Sequence, residues 1–314
     1  MTDFKMTQDA QGIATLTWDC IGKSMNVMSF EALQQMNALI DQALADEAVK
    51  GIILTSGKKD FAAGMDLNVL ADLRNASGEN PAEGVFNGIQ SIHQIFRKIE
   101  RAGMDAKTNK GGKPIATVLP GTALGIGFEL PLATHRIFAA DNPKAKIGLP
   151  EILVGLFPGA GGTIRLVRKL GAMVAAPFLL EGKTLPPAKA KAAGLIDSVS
   201  ADPIADARAW VLNATDADLI KTWDQKGYKM PGGTPYHPSG FMTFIGASAM
   251  VHGKTQGAYP AAKALLSAVY EGAQVPFETA LKIEARWFTS VLMNPSSEAM
   301  IRSLFLNKGA LETA

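Results

Sequence analysis

The spacing of apolar and polar positions changes several times along the chain, and each change marks an element. Ile13-Ala-Thr-Leu-Thr-Trp18 alternates as a strand with one buried face does. Ser29 can cap a helix from Phe30 to about Ala45, with Leu33, Met36, Ile40 and Leu44 on one side. Gly51 to Thr55 is short and almost wholly apolar, which predicts a buried strand. Val85, Ile89, Ile92, Phe96 and Ile99 recur at helical spacing. Pro114 to Leu119 and Arg136 to Ala140 are strand-like, and a helix is expected from Gly125 onward. Phe61-Ala-Ala-Gly-Met-Asp66 reads as a turn, Leu73 to Gly84 as a polar loop and Gly103 to Lys113 as a glycine-rich one. Strands alternating with helices across 1–200 predict an α/β fold with layered sheets.

Beyond Ala201 the pattern shifts. A Pro/Gly-rich connector is expected at 201–239, followed by an almost wholly helical 240–314. There Leu281, Ala285, Phe288 and Leu292 form an apolar stripe, and Asn294 starts a last helix. The expected organisation is therefore a domain at 1–200, the connector, and a helical extension.

Composition narrows the class. At 47% hydrophobic and 19% charged residues, this is ordinary folded-protein composition. A formal net charge of +2 gives no general attraction to nucleic acid or an anionic membrane. A local basic patch could still hold a phosphorylated ligand. The single cysteine, Cys20, excludes an internal disulfide and fits a reducing compartment. The four histidines show no metal-ligand spacing. The first residues lack the apolar core of a signal peptide. The longest apolar stretch, around Phe241–Val251, falls short of the roughly 20 residues a bilayer needs. A cytoplasmic protein without a membrane span is expected.

The chemistry is carried by two glutamates. Glu129 is the one formally charged residue between Pro114 and Thr134, and Glu151 the one between Ile147 and Ile164. A carboxylate in apolar packing costs several kcal/mol unless it is paired, hydrogen-bonded or protonated. Each could instead be a satisfied carboxylate at a helix N-terminus, where negative charge is favoured. Nearby glycine strings, Gly125-Ile-Gly127 and Pro158-Gly-Ala-Gly-Gly-Thr163, match neither a dinucleotide fingerprint nor a phosphate loop. They let backbone approach something closely. Two proton-transfer groups beside such backbone are what acid–base chemistry on a carbonyl compound requires.

Three ordered segments carry a resemblance: Phe61-Ala-Ala-Gly-Met-Asp66, Ala123-Leu-Gly-Ile-Gly-Phe-Glu129, and Pro150-Glu-Ile-Leu-Val-Gly-Leu-Phe-Pro-Gly-Ala-Gly-Gly-Thr163. Over about residues 5–200 the chain resembles the enoyl-CoA hydratase/isomerase (crotonase) superfamily. Ser24-Met-Asn-Val-Met28 and Ala190–Asp197 fit as well. Residues 238–308 look like the helical extension in the α-subunit of the fatty-acid β-oxidation multienzyme complex. In that subunit a hydroxyacyl-CoA dehydrogenase part follows, so the resemblance implies an isolated hydratase half or a cut piece of a longer chain.

The resemblance implies a spiral of ββα units and an acyl-CoA thioester substrate, with CoA as part of that substrate and no separate cofactor or metal. Its carbonyl oxygen would lie between the backbone N–H groups of Met65 and Ile126, with Glu129 and Glu151 holding the attacking water. Ala62, Ala63, Gly64, Gly125 and Lys23 would line the CoA and thioester arm, with Lys58 and Lys59 as further phosphate neighbours. Lysines of this kind equally suit a solvated surface. Asp66 reads as a turn-forming side chain. One departure stands out, because the family usually has glycine where this chain has Ile126. Either the backbone suits isoleucine and the pocket is narrower, or the oxyanion site is impaired.

The activity expected is hydration of 2-enoyl-CoA in fatty-acid β-oxidation, with Δ3-Δ2 isomerisation as a companion activity. The alternative is a catalytically weak CoA-binding or assembly module of a multienzyme complex. Thioester hydrolysis or decarboxylation also stays open. Partners implied are a second copy of the chain, or a thiolase or dehydrogenase of a β-oxidation complex.

Overall fold

Ile13–Trp18 and Gly51–Ser56 lie side by side as parallel strands, Ile13 opposite Gly51 and Trp18 opposite Ser56. They are the second and third strands of a six-stranded sheet. Its members are β1 (Phe4–Gln8), β2 (Ile13–Trp18), β4 (Gly51–Ser56), β6 (Ile115–Leu119), β8 (Arg136–Ala140) and β10 (Ser198–Ser200), side by side in that order. β1 pairs antiparallel with β2, and every other neighbour is parallel. β4 and β6 are buried along almost their whole length, which is why they read as continuous apolar runs. The computed structural model describes residues 2–66, 69, 73 and 79–303. The centre of the expected loop at 73–84 and the last residues of the expected extension, 304–314, lie outside the described residues.

A second layer is made of two-residue strands, β3 (Val27–Met28) with β5 (Gly64–Met65) and β7 (Ala123–Leu124) with β9 (Ile147–Gly148). The chain order repeats: a long strand, a two-residue strand, then a helix. β2 and β3 precede helix Phe30–Ala45, β4 and β5 precede Pro81–Arg101, and β6 and β7 precede Ile126–Ala133. This is the crotonase-like spiral of ββα units. Ser29 caps its helix as expected, accepting from the Ala32 N–H at 3.1 Å. Helix Pro81–Arg101 begins within the stretch expected to be a loop, and Val85, Ile89, Ile92, Phe96 and Ile99 are all buried along it.

The chain falls into two compact units. The first comprises Met1–Val69, Gln94–Gly148 and Thr184–Lys226. Its core gathers Ile13, Ile53, Ala116, Val118 and Phe138 of the sheet with Ala207 and Val211. These last two lie on helix Pro203–Asn213, so the early part of 201–239 is helical and packs on strands. The second unit comprises Leu70–His93, Leu149–Lys183 and Gly227–Ala314. It is helical, with helices Gly162–Leu170, Ala172–Leu180, Pro238–Thr255, Pro260–Gly272, Phe277–Leu292 and Pro295–Ile301. Leu265, Ala268, Leu281, Ala285, Phe288 and Leu292 fill its interior. The stripe read from sequence therefore faces inward. Apolar exposure in this unit falls instead on helix Pro238–Thr255, at Phe241, Met242, Ile245 and Met250, and on Leu153, Met173 and Val174. Among the described residues, no helix is long and apolar enough to cross a membrane.

Candidate active site

In the first unit, β5 and the start of helix Ile126–Ala133 lie against each other. β5 is held from one side by β3, with Val27 opposite Gly64 and Met28 opposite Met65. Ala63 N–H donates to Asn26 O at 2.8 Å and Asp66 N–H to Met28 O at 3.0 Å. Asn26 anchors this arrangement. It is fully buried, accepts from Cys20 N–H at 2.9 Å, and sets its Nδ2 against Trp18 O (3.0 Å), Phe61 O (2.9 Å) and Ser56 Oγ (2.9 Å). From the other side, Leu124 N–H donates to Ala62 O at 3.1 Å, and Ala62 bridges to Ala123.

The chain then turns sharply at Gly125, where φ is 57° and ψ −134°. No L side chain adopts such a pair readily. The glycine that the turn requires is therefore Gly125 itself. Ile126 follows as the first residue of the helix and is not among the non-glycine residues with positive φ. Its N–H occupies a helix position that has no intrahelical acceptor. The isoleucine side chain is buried, so the cost of its bulk is space, not backbone strain.

Glu129 lies one turn further on. Its N–H donates to Gly125 O at 2.9 Å, and its side chain is buried. Ala62, Gly64, Met65, Gly125, Ile126 and Glu129 are thus gathered around two facing backbone segments. Ala63 is exposed beside them. Lys23 pairs with Asp66 across 2.7 Å, and Lys58 with Asp19 across 2.7 Å. Asp66 therefore ties together two loops that are distant in sequence.

Glu151 belongs to the second unit. It is the first residue of a 3-10 turn, Glu151–Val154, set up by Pro150 at its N-terminus. Its Oε2 is buried and has no hydrogen-bond partner. Burial, as the main cause, pushes this carboxyl up to about 8. The Glu151 N–H opposes the rise, and the negative charge of Glu284 adds to it. Such a group carries its proton at neutral pH.

Glu284 is a buried carboxylate that the sequence did not single out. It is fully buried on helix Phe277–Leu292. Its Oε1 accepts from Gly161 N–H at 2.6 Å and lies 3.2 Å from His93 Nε2. Its Oε2 accepts from Ile164 N–H at 3.0 Å. His93 Nε2 also lies 2.8 Å from Gly159 O, and Nδ1 lies 3.3 Å from Gln90 Nε2. A neutral ring protonated on Nε2 satisfies all of these contacts. The glycine-rich string Pro158–Thr163 therefore cradles a carboxylate, and that carboxylate belongs to the protein itself. Among the described residues, no group of three or more His, Cys, Asp or Glu gathers as a metal site.

Residues 9–214 match the family described as Enoyl-CoA hydratase/isomerase. The fatty acid oxidation complex subunit alpha of Shewanella halifaxensis is 33% identical over 304 residues. That of Shewanella amazonensis is 31% identical over 309. Both alignments cover 96% of this chain but 40% of the relative, so the chain spans about two fifths of the length of these relatives. Among solved structures, human mitochondrial delta3-delta2-enoyl-CoA isomerase aligns over all of both chains with a TM-score of 0.65 at 17% identity. Enoyl-CoA hydratase from Bacillus halodurans aligns over 96% of this chain and 100% of its own, with a TM-score of 0.64 at 16% identity. At these identities the likeness is one of fold.

Proposed function

This chain belongs to the enoyl-CoA hydratase/isomerase family, and we propose that it adds water across the C2–C3 double bond of a 2-enoyl-CoA thioester, giving 3-hydroxyacyl-CoA. The Met65 and Ile126 N–H groups polarise the thioester carbonyl and make C3 electrophilic. Glu129, as carboxylate, takes a proton from water while the water oxygen bonds to C3. The displaced π electrons move onto the thioester oxygen as an enolate. The enolate collapses as Glu151 gives its proton to C2. Proton return from Glu129 to Glu151 through solvent restores the resting state.

The observation that carries this assignment is the buried Glu151 carboxyl, whose Oε2 has no hydrogen-bond partner; burial pushes it up to about 8. A carboxyl that keeps its proton at neutral pH is suited to be an acid. Isomerisation can run on one carboxyl, so a second buried one, Glu129, favours hydration as the main reaction. Δ3-Δ2 isomerisation would use Glu151 alone, as base and then acid. Because the relatives carry the name of a fatty acid oxidation complex, we place the reaction in fatty-acid β-oxidation in the cytoplasm. Ala63 and Lys23 would stand beside the CoA arm, and CoA would be the one cofactor-like group involved, as part of the substrate.

The test is loss of the conjugated enoyl-CoA absorbance with purified protein, across short, medium and long acyl chains. Turnover of any of them supports hydration, and absence of turnover with all of them contradicts it.

A second reading, a CoA-binding module that docks in a larger assembly, is favoured by one observation. Phe241, Met242 and Ile245 are each about half exposed or more on helix Pro238–Thr255. The same helix borders an apolar cavity of about 200 Å3 with Met173, Leu180 and Leu266. Tight CoA-thioester binding without turnover would support this second reading.

A further inference from the structure

The second unit ties the turn carrying Glu151 to the C-terminal helices at three points. Tyr259, just before helix Pro260–Gly272, donates its hydroxyl to Ile152 O and accepts from Gly155 N–H at 3.1 Å. Ser297, on helix Pro295–Ile301, donates to Gly155 O at 2.9 Å. Glu284 clamps the segment that follows, through Gly161 and Ile164. All three residues lie beyond the stretch that matches the family, 9–214.

We propose that Glu284 is a positioning residue through which the helical extension controls Glu151, fixing the backbone that follows its turn and keeping a second negative charge beside it. This inference rests on the hydratase assignment for its catalytic meaning.

The geometry surrounds the Glu284 carboxyl with donors. Both of its oxygens accept from backbone N–H groups, and those groups open helix Gly162–Leu170, where negative charge is stabilised. A carboxylate is an acceptor only, so His93 Nε2–H completes its set. The other charged groups near the Glu151 turn are placed to contribute less. Helix Ala172–Leu180 packs on the turn and has no charged residue; its C-cap Glu181 is more than half exposed and pairs with Lys254 at 3.3 Å. Helix Pro295–Ile301 offers Glu298, also solvent-exposed and paired with Arg302 at 3.6 Å. The Tyr259 hydroxyl is held neutral by burial. Buried charge acts at much lower effective dielectric than these screened surface pairs. Arg165, fully buried on helix Gly162–Leu170, is the cation of this cluster and is engaged with Ala160 O at 3.2 Å; the negative charge of Glu284 acts on Glu151 and makes its proton release less favourable.

The experiment is a carboxyl titration of the resting protein, without substrate. Glutamate side-chain carboxyls are labelled with 13C, and the Glu151 resonance is identified by its loss in Glu151→Gln. In the unaltered protein it is expected to titrate near 8, the value that burial and Glu284 set. In Glu284→Gln the midpoint is expected to fall by about one pH unit or more, and the alkaline limb of the pH–rate profile, where the acid loses its proton, to move with it. Glu284→Asp keeps the charge and shortens the reach, so the midpoint is expected to hold while kcat drops about tenfold at little change in KM. Glu271→Gln, which removes the partner of Arg286 on helix Pro260–Gly272, is the control and is expected to leave the midpoint in place. An unchanged midpoint in folded Glu284→Gln overturns the inference, as does an equal fall in the Gln and Asp variants. If Glu284→Gln is recovered only unfolded, the Asp variant decides: a held midpoint supports the inference and a fall to the ordinary glutamate range overturns it. Should Glu284 govern the midpoint while no enoyl-CoA turns over, the hydratase assignment fails and the coupling stands.

Discussion

Gly127 stands directly against Ala62: a methyl built on Gly127 would come within 2.6 Å of the Ala62 Cβ. The two residues flank the backbone N–H groups proposed to hold the thioester oxygen, Gly127 next to Ile126 and Ala62 three residues before Met65. Their contact sets how closely the helix start approaches the strand segment. Gly127→Ala is therefore expected to push the two apart, costing about 1–3 kcal/mol of stability and roughly tenfold or more in kcat, because misplaced donors lose transition-state stabilisation. Urea unfolding and enoyl-CoA turnover check this. Full activity and stability in the variant would contradict it.

Glu151 makes the stability of the fold depend on pH. Its folded-state value of about 8 lies above the ordinary 4.5. Between those values the native protein holds a proton that the unfolded chain has released, so stability falls as pH rises through this window and levels off above it. Glu151→Gln is expected to flatten that fall, and denaturant melts across the window measure it.

His135 works in the opposite sense. Burial, helped by the charge of Lys221, holds its ring neutral down to about 3, against an ordinary 6.5. Nδ1 accepts from Ile115 N–H at 2.8 Å, and Nε2 faces Glu100 O at 3.1 Å. Between those two values the unfolded chain binds a proton that the native state refuses. Stability from this site is complete above the ordinary value and is lost as pH falls below it. His135→Gln is expected to be less stable at neutral pH yet to lose less on acidification, which thermal melts at graded pH would show.

Asn26→Ala is expected to cost roughly 3 kcal/mol, since it strips partners from buried Cys20 N–H, Trp18 O and Phe61 O. Because those partners hold β3 against β5, turnover is expected to fall with stability. The urea midpoint and kcat measured together provide the check.

Long elements were legible in the sequence because their periods are strong. Val85 through Ile99 announce a helix, and Ile13–Trp18 a strand with one buried face. The two-residue strands β3, β5, β7 and β9 were not legible, since a pair of residues has no period; they exist because the six-stranded sheet places their segments side by side. Glu129 and Glu151 stood out by isolation among apolar neighbours. Glu284 did not, although it shares a helix side with Leu281 and Phe288, because its charged sequence neighbours Lys282 and Arg286 hide its isolation. Two of its partners are backbone N–H groups, which leave no mark in side-chain chemistry, and the third, His93, is far away in sequence. Ile126 looked anomalous at a family glycine, and the structure moves the conformational demand to Gly125.

The central claim is that two carboxyls divide one hydration between them. Its most direct test is turnover of 2-enoyl-CoA in D2O, followed by NMR of the product. The expected product carries one deuterium at C2 and a hydroxyl at C3, and its rate of formation falls about 100-fold or more in both Glu129→Gln and Glu151→Gln. Product formed at an undiminished rate by either variant would contradict the account.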